Sequence, residues 1–594
     1  MNIQSRRGSI LLSTLSFIIL LAVAAASILE LTMNSYKLTM RNEMRVKARA
    51  VAESELESIY FQWVSLVMTG VPASQSPAAL STVCDVDPNP MTTVFPAFLL
   101  AHRGDGWVVH RGISYNSNYD FFDGIIPSTT KHGQVTYITV KIEVLPNPNS
   151  PFRNELAVRV GRRFATSNST IFQYGVFYQG DLEMAPGNNV IIDGDVAANG
   201  SIYMAASAGH TLTLDKQVRY LTGDYFNEDS LGNTVLRKPN TPVGGALVAP
   251  IFGTSQVSQL EVLAQPENLL GGVDASLEVS LHPTLFATEN DVYRAAIVPP
   301  PGQTDEYPNI ADDPTIAVQR MYNRAGLIVT VNTDNSVVIT KPDGTDVTVN
   351  YAGVISGVVN KPVYDQREGK NVLITTVDMG ALTTALQNPV NYIAGPNDFN
   401  GLVYFNVKSS NTTTPRAIRM VNATNVTGRK GNGMSVATNG GMYVQGDFNT
   451  ASTPLADGST NPAMIMADQV TALSQGWDDN NAAQPRTSRT ASGALAINAG
   501  VLTGNTPATT TQFSGGAQNL LRYLENWNGI PVTITGSLGC LFQSKTFNSY
   551  WQQPGNIYGA PSSRNFTFDA GLLSHPPAGS PQTTAFQRGS FFVW

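Results

Sequence analysis

Cysteine and charge are both scarce in this chain of 594 residues. Two cysteines, Cys84 and Cys540, are too few for a fold held together by a disulfide framework. Asp, Glu, Lys and Arg make up 14% of the chain, whereas an average globular domain has ~25%. The net charge of −7 excludes a broad basic surface, so we expect no nucleic-acid partner. Two alternatives stay open for the cysteines: one long-range bridge outside the cytoplasm, or two thiols with Cys540 in a strand.

The sequence also lacks the motifs of common catalytic and metal sites. It has no G-x-S-x-G, no phosphate-binding G-x-x-x-x-G-K-[ST] and no Cys-x-x-Cys. No histidine stands at metal-ligand spacing from another histidine or a cysteine; the six are His102, His110, His132, His210, His282 and His575. We therefore expect a protein that is not an enzyme and that has no cofactor or metal.

Two groups of aspartates are the candidates for a catalytic site or a metal site. Asp181, Asp193 and Asp195 could place paired carboxylates on one face of a β-solenoid, as cleavage of a glycosidic bond requires. The pair Asp478 and Asp479 could bind calcium. Each of the first three adjoins a glycine, and aspartate beside glycine is usually a turn residue. We therefore expect turns at the first group and a solvated loop at the second.

One long apolar run stands near the N-terminus. Ile10 to Leu29 is 20 residues without a charge, and at about 1.5 Å per residue it spans the ~30 Å bilayer core. Arg6 and Arg7 precede it, which predicts a single inner-membrane span with its N-terminus in the cytoplasm. Three fates remain open: removal after Ala26 as a signal peptide, retention as an uncleaved anchor, or cleavage within the basic leader.

A helical pattern continues beyond the apolar run. No glycine or proline interrupts Met33 to Trp63, and Gly70 and Pro72 then end the pattern. Mostly apolar residues recur every three or four positions: Met40, Met44, Ala48, Val51, Glu55, Ile59 and Trp63. The sequence thus predicts a single helix over 9–70, apolar in its first half and amphipathic in its second. A signal peptide has no reason to continue into such a helix.

The segment RRGSILLSTLSFIILL (Arg6 to Leu21) resembles the class III leader of type IV pilins and pseudopilins. The resemblance implies that residues 1–8 form a leader and that prepilin peptidase cuts after Gly8. Ser9 would then become the first mature residue, an N-methylated one, and the helix would pack against other pilin-like subunits. In major pilins the fifth mature residue is an assembly glutamate, and here that position is Ser13. In lacking this glutamate, the segment resembles minor pilins of the PilX type and the tip pseudopilin of type II secretion.

The resemblance implies a function as well as a processing site. It implies a minor subunit of a type IV pilus or a type II secretion-type system. Its large head would be displayed in the periplasm or outside for assembly, adhesion or envelope contact. The alternative is an ordinary signal-peptide-exported β-helix protein that binds or cleaves carbohydrate.

The remainder of the chain is predicted to be mainly β. A β-rich connecting region is expected over 71–170. The first part of a β-solenoid is expected over 171–214. The solenoid is expected to continue over 401–594, where it ends in a C-terminal cap. Two related segments, AANGSIYM (Ala197 to Met204) and ATNGGMYV (Ala437 to Val444), are interpreted as neighbouring rungs. An α+β domain inserted over 215–400 would explain the distance between them along the chain. The alternative fold is a set of β-sandwich modules.

The later half contains further candidate rungs and one candidate helix. In GGAQNLLRYLENW (Gly515 to Trp527), apolar residues at helical spacing predict a short helix over the solenoid. Parts of this half are similar to large uncharacterised bacterial exported proteins with pilin-like N-termini: GLVYFNV, GMYVQGDFN, AGVLTGN, SGGAQNLLRYLENW, GSLGCLFQS and SSRNFTFD. That resemblance implies architecture and no chemistry.

Overall fold

A computed structural model gives the fold of the chain. The residues that it describes are 4–68, 78–80, 101–102, 106–122, 133–153, 156–220, 225–227, 247–248, 251–252, 257–259, 275–301, 317, 319–388, 391, 399–429, 433–455, 458–508, 515–551 and 557–593. Their α-helices are α1 (Gln4–Met68), α2 (Ala275–Leu281), α3 (Glu289–Ile297), α4 (Met321–Arg324), α5 (Met379–Gln387) and α6 (Gly571–Ser574).

The strands are numbered in chain order. The first sixteen are β1 (Ala101–His102), β2 (Trp107–Phe122), β3 (Gly133–Pro146), β4 (Val158–Thr170), β5 (Val176–Tyr178), β6 (Leu182–Met184), β7 (Val190–Asp193), β8 (Val196–Ala198), β9 (Ile202–Met204), β10 (Ala206–Ser207), β11 (Leu212–Leu214), β12 (Val218–Tyr220), β13 (Tyr225–Asn227), β14 (Leu247–Val248), β15 (Ile251–Phe252) and β16 (Val257–Gln259). The others are β17 (Leu327–Val331), β18 (Val337–Thr340), β19 (Ile355–Asp365), β20 (Lys370–Asp378), β21 (Leu402–Val407), β22 (Arg416–Val421), β23 (Ser435–Thr438), β24 (Gly441–Gln445), β25 (Met464–Ala467), β26 (Gln469–Leu473), β27 (Leu495–Thr503), β28 (Leu521–Tyr523), β29 (Val532–Cys540), β30 (Arg564–Phe568) and β31 (Gln582–Val593).

The chain divides into two compact units, and the first is built from both ends of the sequence. Unit 1 comprises Met1–Tyr119, Thr136–Thr166 and Phe586–Trp594. It contains α1 and a sheet with the strand order β1-β2-β3-β4-β31. Residues 71–170 are therefore more than a connecting region, because their strands form one sheet with the last strand of the chain. Strand β31 lies at the end of the segment 401–594, which was predicted to finish as a C-terminal cap. Because β31 belongs to this sheet, it does not serve only as a cap on the strands before it.

Unit 2 comprises Asp120–Val135 and Ser167–Ala585 and is mainly β. From β21 to β29 successive strands alternate between two sheets, and their pairings within each sheet are parallel. The side chains between the sheets are apolar and buried, among them Val403, Val436, Ile465 and Val470. This is the alternation that solenoid-like coils require. The alternative, β-sandwich modules, requires antiparallel sheets instead.

The coils are stacked in an order that differs from their order along the chain. The first half of β29 (Val532 to Gly536) pairs with β30, and its second half (Leu538 to Cys540) pairs with β5. The last coils of the sequence therefore lie directly against the first. Gly536 occupies the point of division at φ 151°, where a Cβ would lie 2.0 Å from the Ala499 carbonyl oxygen. We define this contact between β29 and β5 as the seam.

The described strands place the two repeat copies, and the strands within 215–400, differently from the predicted arrangement. Strand β8 in the first copy pairs with β5 and β12, whereas β23 in the second pairs with β21 and β25, so the copies are not neighbours. Within 215–400, β17 pairs in parallel with β21 and β20 with β22. That stretch therefore supplies coils of the same stack. Local turn-and-strand patterns resemble one another in every coil, so they do not determine which coils become neighbours.

The predicted helix over Gly515 to Trp527 is also wrong. The segment forms a 3₁₀ turn at Ala517–Asn519 followed by strand β28. Leu520, Leu524 and Trp527 are buried as the helical spacing suggests, but β28 pairs in parallel with β26. Pairing with an existing sheet edge outweighs the weak intrinsic preference of a short segment.

Candidate functional site

The first half of α1 has a continuous apolar surface that no described part of the chain covers. Its segment Ser9–Val67 contains a stretch long and apolar enough to cross a membrane. The large apolar side chains that are more than half exposed there are Ile10, Leu11, Leu12, Leu15, Phe17, Ile18, Ile19, Leu20, Leu21, Val23, Ile28, Leu29, Leu31, Met33, Tyr36 and Leu38. Exposed apolar surface of this extent marks a membrane or protein interaction site.

The predicted processing and assembly residues all lie within α1, which begins at Gln4. The Ser13 hydroxyl donates to the Ser9 carbonyl at 2.8 Å and contacts the Ile10 carbonyl at 3.0 Å. The Thr14 hydroxyl likewise donates a hydrogen bond to the Ile10 carbonyl at 2.9 Å. These hydroxyls therefore have partners inside their own helix, which a polar group in an apolar surrounding needs.

The second half of α1 is an amphipathic packing helix, as the spacing predicts. Of the seven residues of the predicted stripe, Ala48, Glu55, Ile59 and Trp63 are buried and the other three are partly buried. Trp63 stacks on Phe164 with ring centroids 6.1 Å apart and meets Phe586 edge-on at 5.6 Å. The helix therefore contributes one apolar face to the core of unit 1.

Ion pairs connect the same half of α1 to the sheet. Glu55 accepts from Arg111 at 2.7 Å. Glu57 accepts from Arg162 at 3.0 Å and from Arg588 at 2.9 Å, and the Arg588 guanidinium lies 4.0 Å from the centre of the Tyr60 ring. Nothing in the sequence marks these arginines, because they lie on distant strands and in no recognisable motif.

A buried carboxylate within the sheet makes the stability of unit 1 depend on pH. Glu143 lies 2.9 Å from Nδ1 of His110 and accepts from Arg159 at 2.7 Å. The hydrogen bond with His110, opposed by burial and aided by Arg159, holds the pKa of Glu143 below the ordinary glutamate value of 4.5. A carboxyl whose pKa is lowered on folding stabilises the fold above its unfolded pKa and loses that contribution as pH falls through the folded pKa.

Glu143→Gln is therefore expected to lower the melting temperature of unit 1 at neutral pH. It should also flatten the decline of that temperature below pH 4.5, where the wild-type carboxylate takes up its proton. Thermal unfolding followed by circular dichroism across this range measures both effects. Glu43→Gln is the matched control, since Glu43 forms an exposed pair with Lys47, and such pairs contribute little. If the two variants changed the melting temperature and its pH dependence equally, the stabilising role assigned to Glu143 would be contradicted.

The aspartates considered for catalysis have structural contacts. Asp181 accepts from the Ser201 backbone N–H at 2.7 Å, and Asp195 accepts from the Gln217 N–H at 3.1 Å. Asp193 lies 4.0 Å from the Lys216 ammonium group. Asp181 and Asp195 follow bends at Gly180 and Gly194, but they bond backbone groups of a neighbouring coil, 20 and 22 residues away. Asp193 is the last residue of strand β7 and not a turn residue as predicted.

The pair considered for calcium divides into two different roles. Asp478 caps a 3₁₀ turn by accepting from the Asn480 N–H. Asp479 is not solvated as expected, because it is largely buried and pairs with Lys361 and Arg419. Within the part of the chain that the structure describes, no cluster of three or more His, Cys, Asp or Glu side chains could hold a metal ion.

Of the two cysteines, Cys540 lies among the described residues. Cys540 is buried with a free thiol, and burial raises the pKa of that thiol to about 12. Cys84, like the side chains of His102 and His132, lies outside the described residues. The expectation that Cys540 lies in a strand is confirmed, since it is the last residue of β29.

No protein-family model and no curated protein matches the chain. Among solved structures, a match is the crystal structure of the competence-associated pilin ComZ from Thermus thermophilus. It has 10% sequence identity, covers 92% of this chain and 97% of that chain, and has a TM-score of 0.26.

Proposed function

We propose that this chain is a minor pilin-like or pseudopilin-like subunit, similar to the PilX type, of a type IV pilus or type II secretion-type system. In this proposal α1 anchors the protein in the inner membrane until assembly withdraws it into a fibre of other pilin-like subunits. The two units would then be displayed in the periplasm or outside for assembly, adhesion or envelope contact. The protein acts by binding rather than by catalysis.

The division of α1 into two halves is the observation that carries the proposal. The helix has 65 residues and at 1.5 Å per residue is about 100 Å long. Its first half exposes apolar side chains, while its second half packs into unit 1 without a break in the helix. A removable signal peptide does not need to continue into the folded core. A helix that passes from a bilayer into a bundle of like helices needs both halves.

Ser13 fits a minor subunit better than a major one. A glutamate at this position would require a positively charged partner inside the bilayer or the fibre, where an unpaired charge is costly. The Ser13 hydroxyl has its partner in the preceding turn of its own helix. The chain can therefore enter a fibre at a site where the pairing with a neighbour's N-terminal amine is not made.

The processing site is the most direct test of the proposal. We expect mass spectrometry of the protein from native membranes to find an N-terminal peptide that begins at Ser9 and carries an N-methyl group. Deletion of prepilin peptidase should leave the chain longer by residues 1–8. An intact Met1, or a size unchanged by the deletion, would contradict the proposal.

Two matched variants separate the leader from a signal peptide. Gly8→Val should block cleavage, because the peptidase is expected to cut after this glycine, whereas Ala26→Val should be processed like the wild type. A chain that begins at Ser27, with loss of cleavage in Ala26→Val alone, would instead establish a secreted β protein. In that case the carbohydrate-binding or carbohydrate-cleaving alternative would become the leading function.

A further inference from the structure

Strand β31 comes from the end of the sequence and packs closely against β4, a strand from its beginning. The two strands are neighbours in the sheet of unit 1. Nε of Arg162 in β4 donates to the Gly589 carbonyl in β31 at 3.1 Å. A Cβ on Gly589 would lie 2.8 Å from the Arg163 carbonyl oxygen. The two backbones therefore approach so closely that this position in β31 requires glycine.

Side chains of β31 also contact the second half of α1. The Phe586 ring meets Trp63 edge-on at 5.6 Å. Arg588 pairs with Glu57 at 2.9 Å, and its guanidinium lies over the Tyr60 ring, where a cation is attracted to the face of the ring. One strand thus joins the second half of α1 to β4.

The place of β31 in the sequence makes it the last strand of this sheet to be synthesised. More than 400 residues separate Thr170 at the end of β4 from Gln582 at the start of β31. At a synthesis rate of about 5–20 residues per second, β31 follows β4 by about 20–80 s. Most of unit 2 is made in that interval. The sheet of unit 1 therefore waits for its edge strand while unit 2 is completed.

The folding of unit 2 brings the start of β31 to the end of β4. Beside the seam, the Ser537 hydroxyl donates to the Tyr174 carbonyl. The N–H of Ile171, directly after β4, donates at 3.3 Å to the carbonyl of Pro581, directly before β31. Closing a long loop costs entropy, and a folded unit 2 has already closed this one. It thereby raises the effective concentration of β31 at β4.

We propose that β31 is a strap that closes the sheet of unit 1 only after the seam of unit 2 has formed. The second half of α1 is then fixed to its sheet only in a completed chain, and a chain whose unit 2 has not folded has a loose helix. The strap is a conformational device beyond the pilin-like function. It does not depend on that function, because it concerns the coupled folding of two parts of one chain.

Hydrogen exchange of the full chain in dodecyl maltoside, followed by mass spectrometry, tests the strap. Gly536→Ala places a Cβ 2.0 Å from the Ala499 carbonyl oxygen at the seam. Although it lies in unit 2, it should speed exchange in β31 and in the second half of α1 tenfold or more. Gly493→Ala is the matched control in unit 2, because a Cβ there has no described atom within 4 Å. It should leave both exchange rates unchanged.

Gly589→Ala tests the same coupling from the other side, and it decides the test if Gly536→Ala does not fold. Its Cβ should displace the strap from β4 and speed exchange in the second half of α1 tenfold or more. Coupling between two sites is reciprocal, so exchange should also become faster at the seam, in β5 and the second half of β29, but not in β21 to β25.

The proposal is overturned if the folded Gly536→Ala variant keeps wild-type exchange in β31. It is equally overturned if Gly589→Ala leaves the seam or the second half of α1 at its wild-type rate. An effect of Gly493→Ala as large as that of Gly536→Ala would also overturn it, because the response would then not come from the seam.

Discussion

Replacing Asp468 by asparagine is expected to lower the free energy of unfolding of unit 2 by about 3–5 kcal/mol. Asp468 is fully buried and forms an ion pair with the equally inaccessible Arg294 of helix α3. It also accepts from the backbone N–H groups of Lys545, Thr546 and Phe547 at 2.8–2.9 Å. One carboxylate thus connects a coil of the stack, a helix on its outer face and a distant loop.

The expected loss is large for two reasons. The Arg294 guanidinium loses the carboxylate with which it pairs, and breaking a buried pair from one side is far more costly than replacing both partners. The asparagine amide also brings N–H donors to a place where backbone donors already converge. The cost should therefore exceed that of losing one neutral hydrogen bond, which is about 1 kcal/mol.

Urea unfolding of the full chain, followed by tryptophan fluorescence, measures the change. Asp343→Asn is the matched control, since Asp343 is an exposed turn residue that accepts from the Thr345 N–H at 2.9 Å. Substitutions at such surface positions usually change stability by no more than about 0.5 kcal/mol. A similar effect of the two variants would show that the buried carboxylate does not have the role assigned to it.

Trp63→Ala is expected to destabilise unit 1 by about 3–5 kcal/mol. Trp63 is completely buried between α1 and the sheet, where it contacts Tyr60, Phe164 and Phe586. Removing the indole leaves a cavity among aromatic rings that belong to α1 on one side and to strands of the sheet on the other. The second half of α1 would then lose the largest apolar contact that joins it to its sheet.

Phe61→Ala provides the comparison for this prediction. Phe61 lies on the same helix but is 62% exposed, so its removal should cost less than about 1 kcal/mol. Circular dichroism during urea unfolding compares the two variants. If the prediction is correct, trypsin should also cleave α1 faster in Trp63→Ala than in the wild type. Equal unfolding midpoints for Trp63→Ala and Phe61→Ala would contradict the packing role of the second half of the helix.

The pattern in α1 could be recognised from the sequence because it is local. The exposed apolar run and the stripe from Met40 to Trp63 depend only on the helical period, and the structure confirms both. The contacts of Asp181 and Asp195 were not predictable in this way, because their backbone partners Ser201 and Gln217 lie 20 and 22 residues further along the chain. Asp479 was mispredicted because its partners, Lys361 and Arg419, are more than fifty residues away.

By itself, the sequence determined that a long helix with an apolar and an amphipathic half precedes a turn-rich, mainly β body. Hydrophobic periodicity and turn residues act over a few positions, so they specify elements without specifying neighbours. Only the tertiary structure decided that β31 completes the sheet of unit 1 and that β29 meets β5 at the seam. It also brought Asp468 to Arg294. Each of these features joins residues that lie far apart along the chain, and no short stretch of sequence records such a contact.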